Sequence, residues 1–209
     1  MRKLKLFLII VFFSGHIVSI YGQIKQGAVI VGGNKVDVGQ NGIVTRDGGY
    51  AMTGYTTSFG SSNSSIYLVK FDSLFNLKWT KVFDGPTNSA FNLNNLPYSI
   101  IQTKDGGYAI AGWTSSYGLI SNDGGDVYII KTDSIGTIEW TKTIGGNNND
   151  GAERILQTSD GGYIVTGWTN SFGTGSYKEW WSYNIYVIRL DSKGAIKWNE
   201  TITGNSWSI

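Results

Sequence analysis

The chain has 209 residues, of which 29 are glycine, only two are proline, 14% are aromatic and none is cysteine. This composition predicts an all-β protein of short strands and tight turns, and the missing cysteines exclude disulfides and cysteine nucleophiles. The formal net charge of +2 comes from 17 basic and 15 acidic residues, a balance too even to indicate a polyanionic partner.

Residues 1–22 have the three-part layout of a secretory signal. Three basic residues stand among the first five, and the apolar run 6–13 that follows is shorter than the roughly 20 residues needed to span a bilayer. We expect cleavage after Gly22 and export to the medium or the cell surface. An uncleaved N-terminal anchor is the alternative, because Ile20 is not the small residue usually found three positions before the cut.

Removal of this segment changes what the composition allows. It takes away three basic residues and the single histidine, His16, so the mature chain has 14 basic and 15 acidic residues and neither His nor Cys. No nucleic-acid partner is expected, and histidine acid–base catalysis and ordinary zinc sites are excluded. We further expect no membrane insertion after processing, no cofactor, no bound metal and no catalytic residue.

One pattern recurs three times along the mature chain. Asp-Gly-Gly-Tyr occurs at 47–50, 105–108 and 160–163, and a Gly, a Tyr, an Asp and a Trp follow each copy at similar spacing. These residues are Gly54, Tyr67, Asp72 and Trp79, then Gly112, Tyr128, Asp133 and Trp140, then Gly167, Tyr186, Asp191 and Trp198. Such a tandem unit is a structural module. It divides the domain 23–209 into repeats at approximately 33–85, 86–145 and 146–204, with 205–209 starting a truncated next repeat.

The third copy shows the predicted elements most clearly. Two β-rich runs, 153–158 and 163–169, flank an Asp-Gly-Gly turn whose residue types tolerate positive φ. A third strand is predicted at 185–190 and a fourth at 195–202, after a second turn that begins with Asp191. No segment outside the signal has the 3.6-residue apolar period of a helix. Four antiparallel strands in a unit of this size are typical of a β-propeller blade.

The repeats resemble the Asp-Gly-Gly-Tyr propeller repeats of secreted and surface-exposed bacterial and archaeal proteins. Those repeats follow a consensus of the form QTxDGGYxxxGWT…DxYxxKxDxxGxxxWxKxxGG, which the second copy matches at 102–108, 112–114, 126–128, 131–133, 140–142 and 145–146. The resemblance covers roughly 30–204 and implies a repeat scaffold rather than a particular activity. The first copy departs from it, with Tyr55 where the later copies have Trp113 and Trp168.

The number of repeats is low for a closed propeller, which has about four to eight blades. We therefore expect an all-β, β-propeller-like partial propeller of three complete repeats. Its open blade faces favour self-association. The alternative is a closed threefold β fold, a trefoil or a prism, although the units of those folds are usually shorter.

The recurring Asp and Trp residues have structural explanations. Aspartate at the first position of a turn accepts hydrogen bonds from backbone amides. This accounts for Asp47, Asp72, Asp105, Asp133, Asp160 and Asp191. Trp79, Trp140 and Trp198 are predicted to pack between adjacent blades, and Trp113 and Trp168 at the end of the second strand. The repeats therefore nominate no pair of catalytic carboxylates.

The loop between the second and third strands lengthens from copy to copy. In the third copy, at 174–183, it carries four aromatic residues that blade geometry does not require: Tyr177, Trp180, Trp181 and Tyr183. Aromatic clusters on loops stack on sugar rings or anchor protein interfaces. We predict that these four residues bind a ligand; the alternative is that the loop folds back over its own blade or the neighbouring one.

Three functions are compatible with these features. The sequence favours a secreted, non-catalytic repeat protein with a surface-interaction or scaffold role, whose partner is an extracellular protein or a glycan. A carbohydrate-binding module of a polysaccharide-acting system is the alternative. A carboxylate-dependent hydrolase is the least favoured, because the mature chain lacks His and Cys and turns already explain its recurring aspartates.

Overall fold

The computed structural model describes residues 29–60, 63–84, 94–117, 124–173 and 183–203, together with the backbone of two N-terminal strands. Those strands, β1 (Phe7–Phe13) and β2 (His16–Gly22), pair antiparallel in a sheet of their own. The secretion and cleavage of segment 1–22 remain predictions. Among the described residues, no helix has the length and apolar character to cross a membrane.

The other strands form three four-stranded antiparallel sheets, one after another along the chain. The first sheet contains β3 (Asp37–Val44), β4 (Tyr50–Thr56), β5 (Ser65–Phe71) and β6 (Leu77–Phe83). The second contains β7 (Asn95–Gln102), β8 (Tyr108–Thr114), β9 (Asp126–Thr132) and β10 (Ile138–Ile144). The third contains β11 (Asp150–Gln157), β12 (Tyr163–Thr169), β13 (Asn184–Leu190) and β14 (Ile196–Ile202). The predicted all-β, blade-like repeat fold is confirmed, and the described strands close no barrel.

The Asp-Gly-Gly turns join the first two strands of each sheet. In these turns Gly48, Gly106 and Gly161 have φ angles of 76°, 89° and 86°, a left-handed conformation that glycine adopts without a steric penalty. The hairpins predicted around Asp-Gly-Gly are therefore present in all three copies.

A β-bulge in the first strand explains the glycine that follows every Asp-Gly-Gly-Tyr. In β7 the pairing register shifts between Pro97 and Ser99, and β3 and β11 have a bulge at the corresponding place. Opposite this bulge, a Cβ on Gly112 would lie 2.0 Å from the carbonyl oxygen of Leu96. The equivalent glycines of the other sheets are equally confined, so the bulge and the glycine require each other.

The three sheets pack face to face, with the second between the first and the third. One apolar cluster joins the first two sheets through residues such as Leu68 and Ile110, and another joins the second and third through residues such as Ile129 and Ile188. Burial of these faces against a neighbour is what stabilises a stack of repeats.

A tryptophan from the fourth strand marks each boundary. The ring of Trp79 meets that of Tyr108 at a centroid distance of 5.9 Å and an angle of 71°, and Trp140 meets Tyr163 at 5.7 Å and 72°. These edge-to-face contacts confirm the predicted inter-blade role for both tryptophans. The same prediction is wrong for Trp198, which is 45% exposed because no described sheet covers its side of the third sheet.

Candidate functional site

The aspartate of each Asp-Gly-Gly turn is held by a cation from the third strand of its own sheet. Lys70 binds Asp47 at 2.9 Å, Lys131 binds Asp105 at 2.9 Å, and Arg189 binds Asp160 at 2.6 Å. Each carboxylate also accepts a hydrogen bond from the backbone amide two residues later. The predicted turn-stabilising role of these aspartates is confirmed.

Sequence reasoning missed the cations. Their signal was present, because in every copy a basic residue stands two positions before the aspartate of the second turn. Those second-turn aspartates, Asp72, Asp133 and Asp191, accept hydrogen bonds from the amides two and four residues later, as predicted.

The electrostatics keep the first-turn carboxylates ionised. Hydrogen bonds from Thr158, the Gly162 amide and Arg189 lower the pKa of Asp160 to about 2. Burial acts to raise the pKa of Asp105, but hydrogen bonds from Thr103 and Lys131 outweigh it and lower that pKa to about 2. A general acid in glycoside hydrolysis needs a raised pKa, so these aspartates have the opposite character.

Two other carboxylates approach each other where the second sheet meets the third. A Cβ on Gly145 would lie 1.8 Å from Asp126 Oδ1 and 2.7 Å from Asp150 Oδ2. Both aspartates are buried. Asp150 accepts hydrogen bonds from Ser171 Oγ at 2.6 Å, from the Gly146 amide at 2.8 Å and from Thr169 Oγ1. These hydrogen bonds tie Asp150 to the linker before β11 and to the end of β12. Within the described parts of the chain, no three His, Cys, Asp or Glu side chains are grouped as metal ligands.

Of the four aromatic residues predicted to bind a ligand, the structure places Tyr183. Tyr177, Trp180 and Trp181 lie outside the described residues. Tyr183 is 49% exposed, and its ring centroid lies 4.8 Å from that of Trp168 at an interplanar angle of 60°. The two rings thus form a partly exposed aromatic pair at the start of β13.

Trp168 connects this pair to a carboxylate. Its indole nitrogen Nε1 donates a hydrogen bond to Glu153 Oε1 at 3.2 Å. Glu153 is exposed. Burial of Tyr98 raises the pKa of that tyrosine, and the negative charge of Glu153 raises it further. Trp168 lies over Gly151, in agreement with the predicted packing role, but it also contributes to the exposed surface. Sequence reasoning did not connect Trp168 or Glu153 with Tyr183, since they lie on different strands.

The aromatic pair adjoins a larger apolar surface, which we call the open face of the third sheet and define by Ile164, Trp168, Ile185, Val187, Trp198 and Ile202. Cross-strand pairing aligns Trp168 with Ile185 and Ile185 with Ile202. Ile185 is 55% exposed, whereas Val127, the residue at the same place in the second sheet, is 1% exposed. This difference arises because the third sheet covers Val127 and no described sheet covers Ile185.

Comparisons with known proteins assign no family. No protein-family model and no curated protein sequence matches the chain. Among solved structures, the chain is similar to a protein of unknown function from Bacteroides caccae, whose crystal structure was determined at 1.35 Å resolution. The match has 13% sequence identity and a TM-score of 0.31, and it covers 88% of this chain and 77% of that one. A likeness at this level carries no argument about function.

Proposed function

We propose that this protein is a secreted, non-catalytic, β-propeller-type repeat protein that acts as a scaffold or in surface interactions. Its partner is an extracellular protein or a glycan. The charged, then apolar N-terminal segment 1–22 supports secretion. The salt bridges that hold Asp47, Asp105 and Asp160 in turns support a structural rather than a catalytic role for the recurring carboxylates.

The main support for this proposal is the exposure of the open face of the third sheet. Its apolar positions repeat those that are buried between the first and second sheets and between the second and third. Strand pairing places Thr166, Arg189 and Glu200 among these apolar residues. An exposed apolar surface bordered by polar side chains is typical of an interaction surface. Tyr183 and Trp168 extend the patch with aromatic rings, the residue types that most often anchor interfaces.

The test is binding by the full-length mature protein immobilised on a surface. Ile185→Lys places a charge at the centre of the open face, and Leu74→Lys is the matched control, because Leu74 is 79% exposed on a turn of the first sheet. We expect an extracellular partner to be retained by the wild type and by Leu74→Lys and lost with Ile185→Lys. Retention that is equal with all three proteins would refute this face as the binding surface.

Carbohydrate binding is the second candidate function, and the Trp168–Tyr183–Glu153 arrangement favours it. A sugar ring stacks its C–H face on an aromatic ring while its hydroxyls donate hydrogen bonds to a nearby carboxylate. Here the Trp168 ring, which pairs with Tyr183, is hydrogen-bonded to the Glu153 carboxylate. We expect Tyr183→Ala to weaken glycan binding on an array by about tenfold, the typical effect of losing an aromatic anchor.

The control for this experiment is Tyr117→Ala. Tyr117 is 41% exposed beside the corresponding loop of the second sheet, where its ring stacks on Tyr128 at 5.1 Å. Unchanged glycan binding by Tyr183→Ala, or an equal loss with Tyr117→Ala, would exclude the third-sheet site. Trp180→Ala and Trp181→Ala test the rest of the predicted loop in the same assay.

A further inference from the structure

The first sheet contains an exception to the repeat at the tip of its second turn. Gly136 and Gly194 stand three residues after the turn aspartate in the second and third copies, with φ angles of 79° and 80°. Phe75 occupies the same position in the first copy with a φ of 60°, and it is the only described non-glycine residue with positive φ. Positive φ is unfavourable for a bulky side chain, so an outlier of this kind calls for an explanation.

In the other two copies, the bare glycine makes room for the tryptophan of the preceding sheet. A Cβ on Gly136 would lie 3.0 Å from Cζ3 of Trp79, and one on Gly194 would lie 2.9 Å from Cζ3 of Trp140. Each tryptophan crosses above the glycine and meets the Asp-Gly-Gly-Tyr tyrosine of that sheet. A side chain at the glycine position would displace the indole.

In the first sheet, Phe75 takes the place of that indole. Its ring stacks on Tyr50 at a centroid distance of 4.3 Å and an interplanar angle of 14°. The ring of Phe71 also lies nearby, with its centroid 6.4 Å from that of Phe75. Tyr50 is the counterpart of Tyr108 and Tyr163, the two tyrosines that pack against a tryptophan. The first sheet therefore supplies from its own turn the aromatic partner that the other sheets receive from a neighbour.

The remaining counterpart is Trp198, which repeats Trp79 and Trp140 but faces outward on the third sheet. At the two boundaries between sheets, the tryptophan packs on the face that presents the Asp-Gly-Gly-Tyr tyrosine. We therefore expect a sheet that covers Trp198 to present the same face. In a second copy of this chain, the second and third sheets already use that face, which leaves only the first sheet. There, Phe75 covers Tyr50, and Val31 packs over the apolar cluster beside it.

We propose that Phe75 is a built-in cap, which prevents the third sheet of one copy from docking head to tail on the first sheet of another. The cap keeps two otherwise complementary faces apart, so the open face of the third sheet stays available to a different partner. The reason for such a block is that an uncovered sheet face can associate with its own kind.

The experiment compares the sedimentation velocity of four full-length mature proteins over a wide concentration range: the wild type, Phe75→Gly, Phe75→Gly with Trp198→Ala, and Trp198→Ala. Phe75→Gly restores the residue of the other two copies. We expect it to lower the dissociation constant for self-association by about tenfold or more, and we expect Trp198→Ala to reverse this change. Leu74→Gly, an exposed apolar deletion on the same turn, is the control and should sediment like the wild type.

Two outcomes of the Phe75 series would overturn the proposal. One is a Phe75→Gly protein that sediments like the wild type. The other is association of Phe75→Gly that persists after Trp198→Ala, since the contact would then not be head to tail. Phe75→Asn tolerates positive φ but keeps a side chain where Gly136 and Gly194 have none, so it should sediment like the wild type.

The wild type and Trp198→Ala can refute the proposal even if circular dichroism shows that neither Phe75 variant is folded. The proposal requires the wild type and Trp198→Ala to sediment alike at every concentration. Association of the wild type that is lost with Trp198→Ala would show that Phe75 does not block the first sheet, and the proposal would be abandoned.

Discussion

Trp140 and Trp198 occupy the same position of the repeat but differ in environment, and this difference predicts unequal effects on stability. Trp140 packs against Tyr163 across the boundary between the second and third sheets, whereas Trp198 is 45% exposed. Replacing a fully buried tryptophan with alanine costs about 3–5 kcal/mol of the free energy of unfolding. Because Trp140 is only half-buried, we expect Trp140→Ala to cost about 2–3 kcal/mol, of which about 1 kcal/mol comes from the edge-to-face contact.

Trp198→Ala removes an indole that no other described sheet covers. We expect it to cost no more than about 1 kcal/mol, so the two variants should differ by roughly 2 kcal/mol. The assay is equilibrium unfolding of the full-length protein in urea, followed by far-ultraviolet circular dichroism, with reversibility checked by refolding. Trp79→Ala is the internal control and should behave like Trp140→Ala, because Trp79 makes the same contact with Tyr108.

An equal loss of stability in the two variants would contradict this difference in packing. If Trp140→Ala and Trp198→Ala fall within about 0.5 kcal/mol of each other, the tryptophans do not differ in packing and the third sheet is not open at Trp198.

Three further predictions concern Gly112, Asp105 and the N-terminal segment. Gly112→Ala should lower the free energy of unfolding by about 1–3 kcal/mol or more, because its Cβ would collide with a backbone carbonyl. Gly39→Ala is the control and should change that free energy by less than about 0.5 kcal/mol, because a Cβ on Gly39 would have no atom within 4 Å. Equal effects of the two substitutions in urea unfolding would contradict the pairing of the bulge with the glycine. The pKa of Asp105 falls from 3.8 to about 2 on folding, so its stabilisation is present above pH 3.8 and is lost as the pH drops towards 2. Asp105→Asn should therefore cost about 1 kcal/mol at pH 7, after allowance for its exposed carboxylate, and less at pH 2; a pH-independent cost would contradict the assignment. Mass spectrometry of the exported protein should find Gln23 at the N-terminus, and a retained Met1 would show that the segment 1–22 is not cleaved.

Local signals in the sequence were sufficient to predict most of the fold. The Asp-Gly-Gly turns and the β-rich runs beside them depend on near neighbours, so their positions could be read from the third copy alone. The turn roles of the aspartates followed from the same local chemistry. Pairing across strands is less visible, which is why the ion pairs of Lys70, Lys131 and Arg189 were missed.

The environment of a repeated residue could not be predicted from its repetition. Trp198 was expected to pack like Trp79 and Trp140, but what covers a residue at the edge of a stack depends on the neighbouring sheet and not on its own repeat. The proposed binding site shows the same limit. The loop composition nominated Tyr183, whereas Trp168 and Glu153 join it only through strand pairing and a hydrogen bond.

Hydroxyl-radical footprinting of the full-length protein, read by mass spectrometry at single tryptophans, can show whether the third sheet keeps one apolar face open. Comparison within one residue type removes differences in intrinsic reactivity. An open face of the third sheet predicts fast oxidation of Trp198 and slow oxidation of Trp79 and Trp140, in line with their exposure. Equal protection of all three tryptophans would contradict it, because the open face would then be covered.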